Sequence, residues 1–132
     1  HGTDSSYNEF QQIIKGHDNI SILGFVSDEE LNYLYSRAKV FALPSTSEGV
    51  CLVALEAAVR GCDIVITNVG GPKEYYANFA YTVNPYSVEN IGESIVKALN
   101  GTNQPMLKNH IVNNYNIAHC VDKLEKVYSE LL

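Results

Sequence analysis

Two rhythms of apolar residues alternate along the chain. Short apolar runs at 40–43 and 64–67, and a strand-like segment at 20–25, are separated by stretches in which apolar positions recur three and four residues apart. The first rhythm is that of strands buried on both faces and the second that of amphipathic helices; their alternation predicts a parallel α/β sheet flanked by helices. A helix is expected over 5–15, with Phe10, Ile13 and Ile14 inward and Gly16 ending it. After the strand at 20–25, Ser27 is placed to cap a helix, with Glu30 three residues on as in a capping box. Leu31, Leu34, Tyr35 and Ala38 share one face of that helix.

The run Val40–Leu43 reads as a buried strand stopped by Pro44, followed by a polar loop at 45–49 and a helix that ends near Arg60, with Gly61 as its terminal cap. A buried strand at 64–67 leads into Asn68-Val69-Gly70-Gly71-Pro72 and a short helix, and a last strand is expected at 80–83. Ser87 caps a helix with Val88, Ile91, Ile95 and Leu99 inward, closed by Asn100-Gly101. Two more helices follow. The last carries Ile117, Val121, Leu124, Val127, Tyr128 and Leu131 on one stripe.

Composition narrows the functions. A chain of 132 residues is one domain, large enough to bury a core without staples. The formal charge of -6, with Arg37 and Arg60 as the only arginines, argues against a nucleic-acid partner, which needs clustered cations. Cys51, Cys62 and Cys120 form no CxxC pair, and a reduced, cytoplasmic setting follows as the expectation. The four histidines show no ligand spacing, so no metal is expected. No apolar run approaches the ~20 residues of a membrane span.

Two strand-to-helix junctions carry the candidate chemistry: Ser45-Thr46-Ser47-Glu48-Gly49-Val50 and Val69-Gly70-Gly71-Pro72-Lys73. In doubly wound sheets ligands bind beyond the carboxyl ends of the strands, where both junctions fall. A Gly-Gly pair lets backbone approach a ligand, and amides at a following helix start attract anions; equally, Gly-Gly-Pro is a turn into a helix. Glu48 suits the positive end of the helix between the junctions. Glu56 lies beside a Leu52–Leu55–Val59 stripe where burial is expected, and Arg60, four residues on, offers it an ordinary helix ion pair. Structural and functional readings of Glu56 stand level on these grounds.

The whole string from Leu43 to Ala57, LPSTSEGVCLVALEA, then Gly61, resembles the "PS-xx-EGxGLxxLEAxAxG" signature of retaining family-four glycosyltransferases of the GT-B fold. Upstream, NISILGFVSDEELNYLYSRAKVFALPS looks like the same family's preceding strand, helix and strand; downstream, DIVITNVGGPKEYY looks like its next strand and glycine-rich turn. The resemblance runs from about Asn19 to Leu132. It implies that Glu56 holds the ribose hydroxyls of a nucleotide, a task suited to two acceptor oxygens, and that Glu48 binds the hydroxyls of the donor sugar. It also implies that the backbone amides of Gly49, Val50, Cys51 and Leu52, with Ser45 ahead of them, face the sugar and phosphates, and that Gly70 and Gly71 lie beside the nucleotide. Cys51 replaces the commoner glycine, and Arg60 has no motif role.

The reaction so implied is hexose transfer from a uridine or guanosine diphosphate sugar, without a cofactor, to a glycan or lipid-linked acceptor, retaining the anomeric configuration. The resemblance further implies that the acceptor-binding N-terminal domain, two central strands and the basic pair for the diphosphate lie outside these 132 residues. His1-Gly2 would then be the turn after the second of those strands, and Lys73 the nearest cation within the chain. On that layout 20–25 and Val40–Leu43 flank a gap in the sheet, so the chain is expected to self-associate or require the missing half, and to be inactive alone. The missing domain would carry any contact with the inner face of a membrane. The rival readings are a nucleotide-sugar-binding module without turnover, a partner subunit of a split transferase, and an unrelated Rossmann-like fold such as an epimerase. The last is disfavoured because no GxGxxG turn is present.

Overall fold

The computed structural model describes residues 4–101 and 104–131; the turn expected at His1-Gly2 lies outside them. Helices α1 (Asp4–Ile13) and α2 (Asp28–Arg37) precede strand β1 (Val40–Leu43). Then come α3 (Leu52–Val59), β2 (Asp63–Thr67), the one-turn α4 (Pro72–Tyr75) and a 3-10 turn at Ala77–Phe79. Strand β3 (Tyr81–Val83) and helices α5 (Val88–Asn100), α6 (Pro105–Asn114) and α7 (Ile117–Leu131) complete the order. The three strands are parallel in the order β1-β2-β3, so each crossover carries helix, as parallel neighbours require.

Alternation along β2 divides the core. Ile64 and Ile66 face a cluster with Ala54, Ala57 and Ala58 of α3, Tyr35 of α2, and Leu107 and Ile111 of α6. Val65 faces the other side, with Val83 and with Ala98 of α5. β2 is buried at every residue because it has a strand on each side and helices on both faces. β1 has a neighbour on one side only, and its Ala42 is exposed. Helices α3 and α5 pack on its two faces, so the incomplete burial of β1 comes from its open side: among the described strands it is the edge of the sheet.

Local signals read from the sequence act as expected at the helix ends. Ser27 accepts a hydrogen bond from the Glu30 amide at 3.2 Å, and Ser87 accepts one from the Asn90 amide at 3.2 Å. At the end of α3 the Gly61 amide donates to the Ala58 carbonyl and the Cys62 amide to that of Ala57, a Schellman pair closed by Gly61 at φ 102.

Several inward assignments are corrected. Phe10 and Ile13 of α1 are exposed, and residues 20–25 form no strand, with Phe25 98% exposed. A strand exists only through its ladder partners, and no described strand pairs with this segment. On α5 the buried side chains are Ser94 and Ala98, while Val88 and Leu99 are exposed. The α7 stripe is exposed along its length, because α7 packs chiefly on α6 and no other described element covers it. On α3 the inward face is the alanine one: small side chains let the helix approach the sheet closely, and this leaves Leu52 outside.

One link stitches the far end of the sheet. The side-chain amide of Gln104 accepts from the Ile64 amide (3.0 Å) and donates to the Ile64 carbonyl (3.4 Å), extending the β3 side of the ladder by one rung. The Gln104 backbone amide donates to the buried Asp63 carboxylate at 2.6 Å, which satisfies a donor at the start of α6.

Candidate functional site

The two junctions singled out in the sequence come together at the carboxyl end of the sheet, backbone against backbone. The Gly71 amide donates to the Glu48 carbonyl at 3.1 Å. A Cβ at Gly70 would collide with the Glu48 carbonyl oxygen, and one at Gly71 with that of Gly49; Gly70 also sits at φ 79. The glycine pair thus lets the two loops lock, which no residue with a side chain permits. Tyr76, fully buried just beyond α4, donates its hydroxyl to the Cys51 carbonyl at 2.7 Å and lies 3.4 Å from that of Val50.

The orientation of the first loop follows. The carbonyls of Glu48, Gly49, Val50 and Cys51 all turn towards residues 70–76. In a trans peptide the following N–H points the opposite way, so the amides of Gly49, Val50, Cys51 and Leu52 turn away from that segment. No side chain caps α3 and the Ala54 amide bonds to the Cys51 carbonyl, so the Leu52 and Val53 amides of its first turn are left for another acceptor. By contrast, the second junction offers little to an anion. α4 is a single turn, Pro72 has no N–H, and the Gly71 amide is already bonded to Glu48.

Cys51 holds φ 60 and ψ 63, the left-handed region, and is the only non-glycine at positive φ among the described residues. This accounts for glycine being commoner there: the conformation costs an L-residue roughly 1–2 kcal/mol. Burial pushes the Cys51 thiol up, against a lowering by the Ala54 amide; burial raises the Cys62 thiol as well. Neither is an activated nucleophile. All three cysteines are free.

Glu48 is half-buried beside this turn, and its charge reaches Cys51 and Tyr76. Glu56 is exposed on the outer side of α3, which corrects the expected burial. The alanine face takes the sheet and the opposite side carries the carboxylate. There Glu56 lines a recess of about 280 Å³ with Asp28, Leu31 and Asn32 of α2 and with Arg60. The Arg60 guanidinium donates to the Glu56 carbonyl at 3.4 Å, not to its carboxylate, so the expected ion pair is absent. Burial, and then the Glu56 charge, raise the Tyr35 phenol behind this recess.

The structure therefore brings Glu48, Gly49, Val50, Cys51, Leu52, Gly70 and Gly71 into one loop pair. Ser45 lies at its approach, and Glu56 stands on the helix that leaves it. Lys73 is exposed on α4. Tyr76 was not anticipated from the sequence; its only signal is an aromatic residue just beyond the glycine turn. Among the described residues no group of three or more His, Cys, Asp or Glu could hold a metal, and no helix is long and apolar enough to cross a membrane.

Over 80 residues the chain is 38% identical to the O-antigen chain mannosyltransferase B of Escherichia coli, covering 61% of this chain and 21% of that protein. It is 28% identical to the UDP-Gal:alpha-D-GlcNAc-diphosphoundecaprenol alpha-1,3-galactosyltransferase of Escherichia coli, covering 98% of this chain and 34% of that one. In fold it matches the sucrose-phosphate synthase of Thermosynechococcus elongatus with a TM-score of 0.80 at 21% identity, over 96% of this chain and 34% of that structure. The chain thus spans about a third or less of the length of these proteins. The family described as glycosyl transferases group 1 matches residues 4–128, and with its parallel α/β fold of the GT-B kind the chain belongs to that family.

Proposed function

We propose that the chain is the donor-binding part of a retaining hexosyltransferase that takes its sugar from a uridine or guanosine diphosphate. The observation that carries this reading is the turned loop: amides 49–52 and the uncapped start of α3 present donors on the side away from residues 70–76. Such a cluster suits a diphosphate, whose charge grows as the sugar leaves. Glu48 then binds sugar hydroxyls and Glu56, across the α2–α3 recess, accepts from the ribose hydroxyls. In the reaction the acceptor oxygen bonds to the anomeric carbon on the face from which the diphosphate departs, and the departing phosphate takes the acceptor's proton. No cofactor is required. The relatives' names include a mannosyltransferase and a galactosyltransferase working from UDP-Gal on a diphosphoundecaprenol-linked glycan. Accordingly we assign a glycan or lipid-linked acceptor and a cytoplasmic site of action. The open edge of β1 is assigned to contact with further strands, from polypeptide outside these residues or from a second copy.

Glu48→Ala in the intact protein tests the reading. Its kcat for sugar transfer should fall about a hundredfold, the scale of losing one preorganised contact made in the transition state. Affinity for the free nucleoside diphosphate should stay near wild type. Equal losses for the diphosphate and for the diphosphate sugar would show that Glu48 does not distinguish the sugar.

A further inference from the structure

Tyr76 has no part in the roles assigned so far, yet it occupies a singular position. Its ring is fully buried in the core beneath the sheet's carboxyl end, and its hydroxyl reaches the carbonyls of Val50 and Cys51. Burial, reinforced by the nearby Cys51 and Glu48, raises the phenol, so the hydroxyl remains a donor throughout the working pH range. The residue it holds is the one in a conformation its own side chain disfavours, Cys51 at φ 60. Glycine would occupy that conformation unaided. A cysteine needs something to keep it there, and the 2.7 Å bond to its carbonyl fixes the peptide that carries the Leu52 amide.

We propose that Tyr76 is a positioning residue: its hydroxyl holds Cys51 left-handed and so aims the amides of Cys51 and Leu52 at the donor's diphosphate. The inference rests on the reading of those amides as the donor site. It assigns the clamp to two devices in series. The Gly70-Gly71 backbone fixes the peptides after Glu48 and Gly49, and Tyr76 fixes the one after Cys51.

A double-mutant cycle in the intact protein separates this role from simple core filling. Tyr76→Phe keeps the ring and removes the hydroxyl, and kcat/KM for the nucleoside diphosphate sugar should fall about tenfold. Cys51→Gly supplies the second background of the cycle, and its own kcat/KM is the reference there. In that background Tyr76→Phe should cost less than about threefold relative to Cys51→Gly alone, because glycine holds the turn without the strap. Melting curves on each variant confirm that folded protein is being compared. If Tyr76→Phe alone does not fold, Tyr76→Phe in the Cys51→Gly background still decides: a kcat/KM near that of Cys51→Gly alone supports the role, and a tenfold loss relative to it overturns the role. Equal losses from Tyr76→Phe in both backgrounds would likewise overturn it, leaving the site reading intact. Wild-type protein that neither binds nor turns over uridine or guanosine diphosphate sugars would instead sink the site reading itself.

Discussion

Gly70→Ala should lower stability by about 2–5 kcal/mol and abolish donor binding in the fraction that still folds. Two costs add: the left-handed backbone at φ 79, roughly 1–2 kcal/mol for any L-residue, and the collision of the new Cβ with the Glu48 carbonyl, on the scale of 1–3 kcal/mol for overpacking. The oxygen it meets is backbone, held by the Gly71 amide, so it cannot swing aside as a side-chain tip would. Relief would come from parting the two loops, and that would turn amides 49–52 out of register. Gly92 provides the control. It lies inside α5 with open space around it, and there the same change should raise stability by about 0.5–1 kcal/mol through helix propensity. Denaturant unfolding of both variants checks the contrast; a Gly70→Ala protein as stable as Gly92→Ala would mean that the loops are not locked as described.

Glu56→Gln should weaken nucleotide binding by about 1.5–3 kcal/mol, the value of a hydrogen bond to a charged group, in the intact protein. The carboxylate is exposed and its oxygens are not held by Arg60, so ligand-free stability should change by only a few tenths of a kcal/mol. Titration calorimetry with the nucleoside diphosphate, beside a thermal melt, reads both quantities. Unchanged affinity with a lowered melting temperature would return Glu56 to a structural role through its neighbours on α2 and α3.

How much of this was legible in the sequence depends on whether local chemistry or distant packing decides. The caps at Ser27 and Ser87 and the Schellman turn at Gly61 are set within a few residues, and all were readable. The strands at 40–43 and 64–67 were readable because a continuous apolar run has few other uses. Residues 20–25, whose apolar positions are broken by Ser21 and Gly24, also read as a strand and form none, since pairing depends on a neighbour that a run of residues cannot supply. The outward face of α3 was misread for a related reason. Leu52, Leu55 and Val59 look like the core stripe; Leu55 and Val59 do pack against the core, but three alanines take the fully buried face and Leu52 is left outside. Within the site, the residue types and their spacing were visible through family resemblance. The physical use of Gly70 and Gly71 was not, because both the ligand and the turn explanations overlook the loop they pack against. Tyr76 was missed for the same reason: its partner lies 25 residues back, across the sheet.

Binding of the donor at the turned loop is the most direct test. Thermal unfolding of the intact protein with uridine, guanosine and adenosine diphosphate sugars, each tested with and without Glu56→Gln, measures it. One nucleotide class should stabilise the wild-type fold, by about 2.7 kcal/mol at a hundredfold excess over Kd, and do so measurably less in the variant. No stabilisation by any of them, or stabilisation that ignores Glu56, would contradict the assignment of this site.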